Sequence, residues 1–148
     1  MAKVQIVVGT VGGTAWKSAQ SACVILEKLG HSAEVNEETT PKDLLRDSNE
    51  LILICSSTTG DGEIPKNIYP LYAALDNEAL ALNGRQYGVI ALGDSGFPRF
   101  AYAGFLLEDA MYRSGARRIG DLFTIDAQQE DRPHVAAALW VKDWIRDC

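Results

Sequence analysis

The segment formed by residues 3–30 restricts the fold of this chain more than any other. Residues 3–8 are rich in β-branched side chains, which is typical of a buried strand, and residues 9–15 add the glycines and hydroxyls of a turn and a helix cap. Apolar residues then recur at helical spacing up to Leu29, and Gly30 predicts the helix end. A strand, a loop and a helix in this order direct the N–H groups of the helix N-terminus toward the loop, where they favour an anion.

The composition of this loop restricts the kind of anion. It contains no Lys and no Arg before Trp16, and Thr14 stands where the Walker motif requires a Lys. The three glycines also lack the spacing of the dinucleotide-binding motif. Backbone N–H groups together with the hydroxyls of Thr10 and Thr14 favour one compact phosphate monoester. This segment alone leaves open a glycine-rich turn that binds no ligand.

Size and charge narrow the possible functions further. A chain of 148 residues is long enough for one core, so residues 1–148 are predicted to form a single domain. The net charge of −6 argues against nucleic acid or an anionic membrane as the partner and suits a basic protein. No apolar run is long enough to span a membrane and no leader is recognisable, so we expect a cytoplasmic protein. Cys23, Cys55 and Cys148 show no metal-binding or CxxC spacing, which fits a reducing compartment.

Five apolar strands alternate with helical patterns along the chain. This alternation predicts an α/β fold, a three-layer αβα sandwich around a five-stranded parallel sheet. Ligands of such sheets bind beyond the carboxyl ends of the strands, where the strand order reverses. Because the loops after the first, third and fourth strands carry the glycines and hydroxyls, we expect these loops to meet and the strand order to be 2-1-3-4-5. The later strands are predicted at residues 32–36, 51–55 and 87–92, and at 117–125 as one uninterrupted strand.

The loops after the third and fourth strands add a different chemistry. Residues 56–63 offer four hydroxyls, which can bind phosphate or a polyol, and two glycines, which let the backbone approach a flat ligand. Residues 93–100 include Asp94, a hydrogen-bond acceptor, and Phe97, which either packs in the core or stacks on a flat ligand. A phosphate loop, a hydroxyl loop and an aromatic side chain together predict a site for flavin mononucleotide (FMN).

Three motifs make the chain similar to short-chain flavodoxins, and among them to the MioC-like small flavodoxins. The motifs are GT-x-x-G at 9–13, STTGDGE at 57–63, and ALGDS at 91–95 followed by Phe97 and Phe100. The same module forms the FMN domain of diflavin reductases. The resemblance covers essentially the whole chain and implies an FMN-binding carrier of single electrons at low potential rather than an enzyme. Its implied partners are a flavoprotein reductase as donor and acceptor redox enzymes, which would dock on the acidic rim around the flavin loops of a monomer.

The resemblance also implies a role for each loop. Residues 10–15 would hold the ribityl phosphate, and residues 58–60 would lie along one face of the ring, with Gly60 and Asp61 near N5. Residues 92–94 would meet the pyrimidine edge, and Phe97 would stack on the outer face. The cofactor-binding residues predicted in this way are Thr10, Val11, Gly12, Gly13, Thr14, Ala15, Ser57, Thr58, Thr59, Gly60, Asp61, Leu92, Gly93, Asp94, Phe97, Arg99, Phe100 and Ala101.

Three departures from the family pattern bear on this prediction. Gly12 and Ala15 replace hydroxyl residues of the phosphate loop, and each lost hydrogen bond costs on the order of 1 kcal/mol unless Thr14 compensates. Thr59 stands where many relatives have an aromatic residue, so the inner face of the ring is less covered. Arg99 brings a cation to the flavin, which favours the anionic reduced form and raises its potential, while nearby carboxylates act in the opposite direction.

Other interpretations of the motifs remain. Hydrolases of the GDSL type use Gly-Asp-Ser and Asp-x-x-His, which this chain has at residues 93–95 and 131–134, but they carry Gly-Asp-Ser after the first strand. A receiver domain of the same fold needs acidic residues after the first strand, where this chain has Gly9 and Thr10. Because the phosphate loop is weakened, a protein-interaction module with weak or no FMN binding is the main alternative. A reductase activity of the chain itself is a further one.

Overall fold

The computed structural model describes all 148 residues and contains one sheet with helices on both sides. The strands are β1 (Lys3–Gly9), β2 (Ser32–Asn36), β3 (Leu51–Ser56), β4 (Gln86–Gly93), β5 (Arg117–Arg118) and β6 (Phe123–Asp126). The helices are α1 (Thr14–Lys28), α2 (Pro41–Leu45), α3 (Tyr69–Asp76), α4 (Tyr102–Arg113) and α5 (Pro133–Asp147). A 3₁₀ turn at Lys66–Ile68 precedes α3.

The sheet confirms the predicted fold class and strand order. All strand pairs are parallel, and the order is β2-β1-β3-β4-β5. The prediction of one uninterrupted fifth strand was wrong, because β5 and β6 both pair with β4 but are separated by residues 119–122. Gly120 has a φ of +73° in this interval, a left-handed conformation that interrupts extended backbone. β6 resumes the pairing at the carboxyl end of β4.

Alternate strand residues face two separate cores, which makes the three predicted layers. Ile6 and Val8 of β1 pack against α1 and α5 on one face of the sheet. Val7 belongs to the core on the other face, which α2, α3 and α4 cover. The two-residue period of a strand therefore buries both faces, as the continuous apolar runs of the sequence predict. The helices hold the strand ends in place, so the position of the loops at the carboxyl edge follows from the packing.

Candidate functional site

The loops after β1, β3 and β4 meet at the carboxyl edge of the sheet around a cleft of about 410 Å³. The strand order predicts a ligand at this position, and the volume is in the range of small-molecule sites. The walls of the cleft are formed by Val11, Thr14, Ser57, Thr58, Gly60, Leu92, Gly93, Asp94, Phe97, Arg99, Ala101 and Ala127.

The first loop is shaped by two glycines and one threonine. Gly12 and Gly13 have φ values of +85° and +91°, which glycine adopts at little cost. Thr10 Oγ1 accepts a hydrogen bond from the Gly13 N–H at 3.2 Å, and the Thr10 N–H donates to Asn67 Oδ1 at 3.0 Å. Asn67 lies in the turn before α3, and sequence reasoning gave it no role. The loop is therefore held from both of its sides.

The N-terminus of α1 carries unpaired hydrogen-bond donors. The helix has no side-chain cap, and the backbone N–H groups of Thr14, Ala15 and Trp16 find no acceptor in the protein. Thr14 adds an exposed hydroxyl, whereas the side chain of Ala15 is buried beneath the loop. Free N–H groups and the positive end of the helix dipole form an anion site that needs no Lys or Arg.

The second loop borders the cleft with a short hairpin. Thr59 and Glu63 pair as an antiparallel bridge, with nitrogen-to-oxygen distances of 3.0 and 2.7 Å. Gly60 near the tip has a φ of +49°. Thr58 Oγ1 accepts the N–H of Ala103 at 3.2 Å, which attaches the loop to the first turn of α4. The Thr58 hydroxyl proton remains available to a ligand in the cleft.

The third loop presents an aromatic ring and a fixed carboxylate. Phe97 is 60% exposed and lines the cleft. The structure therefore excludes packing of this ring in the core, and stacking on a flat ligand remains. Asp94 Oδ1 accepts hydrogen bonds from the Gly96 N–H and from Gln128 Nε2, both at 2.8 Å. An exposed ring beside a polar rim suits a flat ligand with a polar edge.

The loop after β6 also borders the cleft, although no residue pattern in this segment predicted it. Ala127 lines the cleft, and Asp126 Oδ1 accepts the N–H groups of Ser95 at 3.0 Å and Gln128 at 2.9 Å. The hydrogen bonds from Ser95, followed by that from Gln128, hold the pKa of Asp126 below its ordinary value. Pairing of Gly93 with Asp126 brings this loop beside the third one. Only the strand register could have shown this contact.

Eleven of the eighteen predicted cofactor residues line the cleft, and the other seven lie beside it. Ala15 is buried, so it offers only its backbone. Phe100 packs against the core beneath α4 and borders a neighbouring cleft next to β6. The contact of these residues with a cofactor stays a prediction. The residues beside the cleft are Thr10, Gly12, Gly13, Ala15, Thr59, Asp61 and Phe100.

The hydrolase interpretation finds no support in the geometry. The Asp94 carboxylate is bound by Gly96 and Gln128, and no hydrogen bond joins Ser95 to His134. His134 lies in the first turn of α5, which packs with α1 on the opposite face of the sheet from α4. A serine without a base in hydrogen-bond contact is not an activated nucleophile.

A parallel sheet of this order with an anion loop, a hydroxyl loop and an exposed aromatic ring at its switch point defines a flavodoxin-like protein. Comparison with known families identifies the family itself: the flavodoxin family pattern matches residues 6–140, and the chain belongs to this family. The resemblance inferred from the sequence is confirmed. The family implies FMN as the cofactor, and flavodoxins are electron-transfer proteins and not enzymes.

The chain is similar to several known proteins along nearly its whole length. "Flavodoxin YqcA" of Pectobacterium carotovorum subsp. carotovorum is 40% identical over 144 residues, which cover 97% of this chain and 95% of that protein. "Protein MioC" of Escherichia coli (strain K12) is 30% identical over 145 residues, which cover 98% and 97%. The solved structure of a mutant flavodoxin from Pseudomonas aeruginosa matches with a TM-score of 0.90 at 32% identity, covering 98% of this chain and 97% of that one. No helix of the chain combines the length and the hydropathy needed to cross a membrane.

Proposed function

We propose that this chain binds FMN and carries single electrons at low potential from a flavoprotein reductase to acceptor redox enzymes. One observation carries the proposal: Thr14, at the start of α1 where the first N–H groups are unpaired, and the exposed ring of Phe97 line the same cleft. A phosphate group is stabilised by the first feature and a flat aromatic ring by the second. A simple anion would leave Phe97 exposed, and a simple apolar ligand would leave the N–H groups unpaired.

Each loop would hold one part of the cofactor. Residues 10–15 would bind the phosphate, with the Thr14 hydroxyl as an additional donor. The ring would lie between Phe97 and residues 58–60, with its pyrimidine edge at residues 92–94. Bound FMN supplies the one-electron redox chemistry, while the chain binds it, orients it and limits its exposure to water. Residues 1–148 would act together as one FMN-binding domain.

The charge of the chain suggests how partners dock. Asp61, Glu63 and Asp94 lie in the two loops that follow β3 and β4, and the net charge is −6. A reductase or acceptor with a basic face would dock on this acidic rim, and its association rate would fall as ionic strength rises. We expect the chain to act as a monomer. The three free cysteines fit a reducing compartment such as the cytoplasm.

The test is a titration of the cofactor-free protein with FMN, followed by desalting and visible spectroscopy. We expect flavin absorbance to remain with the protein and flavin fluorescence to be quenched on binding. Riboflavin should bind more weakly, because it lacks the phosphate that would pair with the N–H groups of α1. If FMN is neither retained nor quenched, the proposed function is wrong.

A second candidate function is a protein-interaction module with weak or no FMN binding. Gly12 and Ala15 favour it, since they stand in the phosphate loop without hydroxyls. This candidate predicts that a basic redox partner binds the flavin-free and the FMN-treated protein equally well. A reductase activity of the chain itself would instead appear as NADPH oxidation by the FMN-loaded protein without a separate reductase, and we expect none.

A further inference from the structure

Arg99 joins the second and third loops at the border of the cleft. Its side-chain stem packs on Gly62, where an added Cβ would lie 2.9 Å from Arg99 Cβ and 3.0 Å from Cδ. Arg99 Nη1 donates to the backbone carbonyl of Asp61 at 3.4 Å. The guanidinium carbon lies 5.6 Å from the centre of the Tyr102 ring, in the range of a cation–π interaction. Three contacts therefore connect this side chain to the hairpin of residues 59–63 and to α4.

The charge of Arg99 is not matched by a carboxylate partner. Arg99 forms no salt bridge, although Asp61 and Glu63 lie in the adjacent hairpin. The Asp94 carboxylate is bound by other donors, Gly96 and Gln128. Arg99 lines the cleft itself, so its positive charge acts on the ligand more directly than a paired arginine would.

We propose that Arg99 has two roles. It is a positioning residue that holds the hairpin of residues 59–63 against the third loop, and its positive charge raises the reduction potential of the bound ligand. The second part rests on the proposed function. One electron passed from the donor protein to FMN in this cleft would add one negative charge, unless a proton followed it from solvent. A cation at the border of the cleft stabilises that added charge, and it acts against the carboxylates nearby.

The charge is tested by comparing wild type, Arg99→Gln and Arg99→Lys in the FMN-loaded protein. The two one-electron reduction potentials of bound FMN are measured as a function of pH. Where a potential does not change with pH, no proton is taken up with the electron. In that range we expect Arg99→Gln to lower the equilibrium constant for uptake of the second electron about tenfold. This change corresponds to a reduction potential that is lower by about 59 mV. Arg99→Lys keeps the charge and should restore most of the potential. The matched control is Arg117→Gln. Arg117 is also exposed and unpaired, but it lies on β5 beside the amino end of β4, whereas the cleft lies at the carboxyl ends of the strands.

The contact with the hairpin is tested in the protein before FMN is added. Hydrogen exchange is followed at the amides of Thr59, Gly62 and Glu63, which form the hydrogen bonds of the hairpin. We expect faster exchange in Arg99→Gln than in wild type, and no change in Arg117→Gln. Unchanged exchange would overturn the positioning role, and unchanged potentials would overturn the electrostatic role. If wild type retains no FMN, the proposed function fails separately, and the exchange measurement still decides the positioning role.

Discussion

Polar groups at the two ends of the strands differ in whether they find hydrogen-bond partners within the protein. At the carboxyl edge, the first N–H groups of α1 stay unpaired and Phe97 stays exposed. Toward the amino edge, the fully buried side chain of Gln5 donates to Glu50 Oε1 at 2.8 Å and accepts from Asn36 Nδ2 at 2.9 Å. Arg46 completes this amino-edge network by binding the Glu50 carboxylate at 3.1 Å through Nε and 2.8 Å through Nη2.

This difference separates the residues that stabilise the fold from those available to a ligand. Buried polar groups that pair with each other contribute to stability, because leaving any one of them unpaired is costly. Unpaired donors at a surface cleft contribute little to the folded state alone and gain their partners when a ligand binds. Substitutions at the amino edge should therefore change stability without changing affinity, and substitutions at the carboxyl edge should do the reverse.

The largest effect is expected from Glu50→Ala in the amino-edge network. This change removes one of the two acceptors of the Gln5 side-chain amide and the buried carboxylate partner of Arg46, and Gln5 cannot turn to solvent because it is fully buried. We expect a loss of about 3 kcal/mol in the free energy of unfolding, measured by urea denaturation of the cofactor-free protein. The affinity for FMN at temperatures where the variant is folded should stay as in wild type.

The control for this change is Glu34→Ala, which removes the other carboxylate bound to Arg46. The Glu34 side chain is 58% exposed, so we expect a cost below about 0.5 kcal/mol. If Glu50→Ala weakens FMN binding as strongly as it weakens the fold, the two edges are not independent and the comparison fails.

A smaller effect in the opposite sense is expected from Thr14→Val at the start of α1. The Thr14 hydroxyl lines the cleft and makes no hydrogen bond within the protein, and valine preserves the branched shape. We expect about fivefold weaker FMN binding, equivalent to about 1 kcal/mol, by fluorescence titration. The urea midpoint should not change.

Two controls sharpen this second test. Riboflavin should bind Thr14→Val as well as wild type, because the lost hydroxyl is expected to serve the phosphate alone. Thr124→Val removes another exposed hydroxyl without a hydrogen bond, but it lies on β6 outside the cleft and should leave FMN affinity unchanged. Equal losses for FMN and riboflavin would place the phosphate elsewhere.

The fold could be predicted from the sequence because local residue patterns indicate most of its strands and loops. Apolar runs and glycine positions gave four strands and their loops, and the loop composition gave the strand order. The interruption at residues 119–122 was missed, since a single glycine in a short segment does not reveal a positive φ. Local composition cannot distinguish an interrupted edge strand from a continuous one.

The site was predictable where one segment carries its own signal, and less so where segments meet. The anion loop and the exposed Phe97 follow from residue type and position in the chain. The contact of Gln128 with Asp94 depends on the register of β6, and that of Arg99 with Asp61 depends on two loops of different strands. Contacts between loops require the folded sheet, because no spacing in the sequence encodes them.

The smallest expected effect concerns Asp43, which lies in the first turn of α2 and contacts Asn36 of the amino-edge network. Asp43 Oδ2 accepts the Thr40 N–H at 2.9 Å and Asn36 Nδ2 at 3.3 Å. The hydrogen bond from the Thr40 backbone, with further contributions from Asn36 and Arg46, lowers the pKa of Asp43. Because the folded-state pKa lies below the unfolded value of about 3.9, this interaction stabilises the fold above about pH 4. Its contribution is lost as the pH falls through the folded-state pKa.

Asp43→Asn should therefore cost stability near neutral pH and progressively less in acid. We expect a difference from wild type of at most about 0.5 kcal/mol near pH 7, because the carboxylate is partly exposed and asparagine keeps one acceptor oxygen. The difference is measured as urea midpoints between about pH 3 and pH 7. Asp121→Asn is the matched control, since Asp121 is exposed and belongs to no network, and it should show no such trend. A difference that stays constant or grows in acid would mean that Asp43 stabilises the fold by packing rather than by charge.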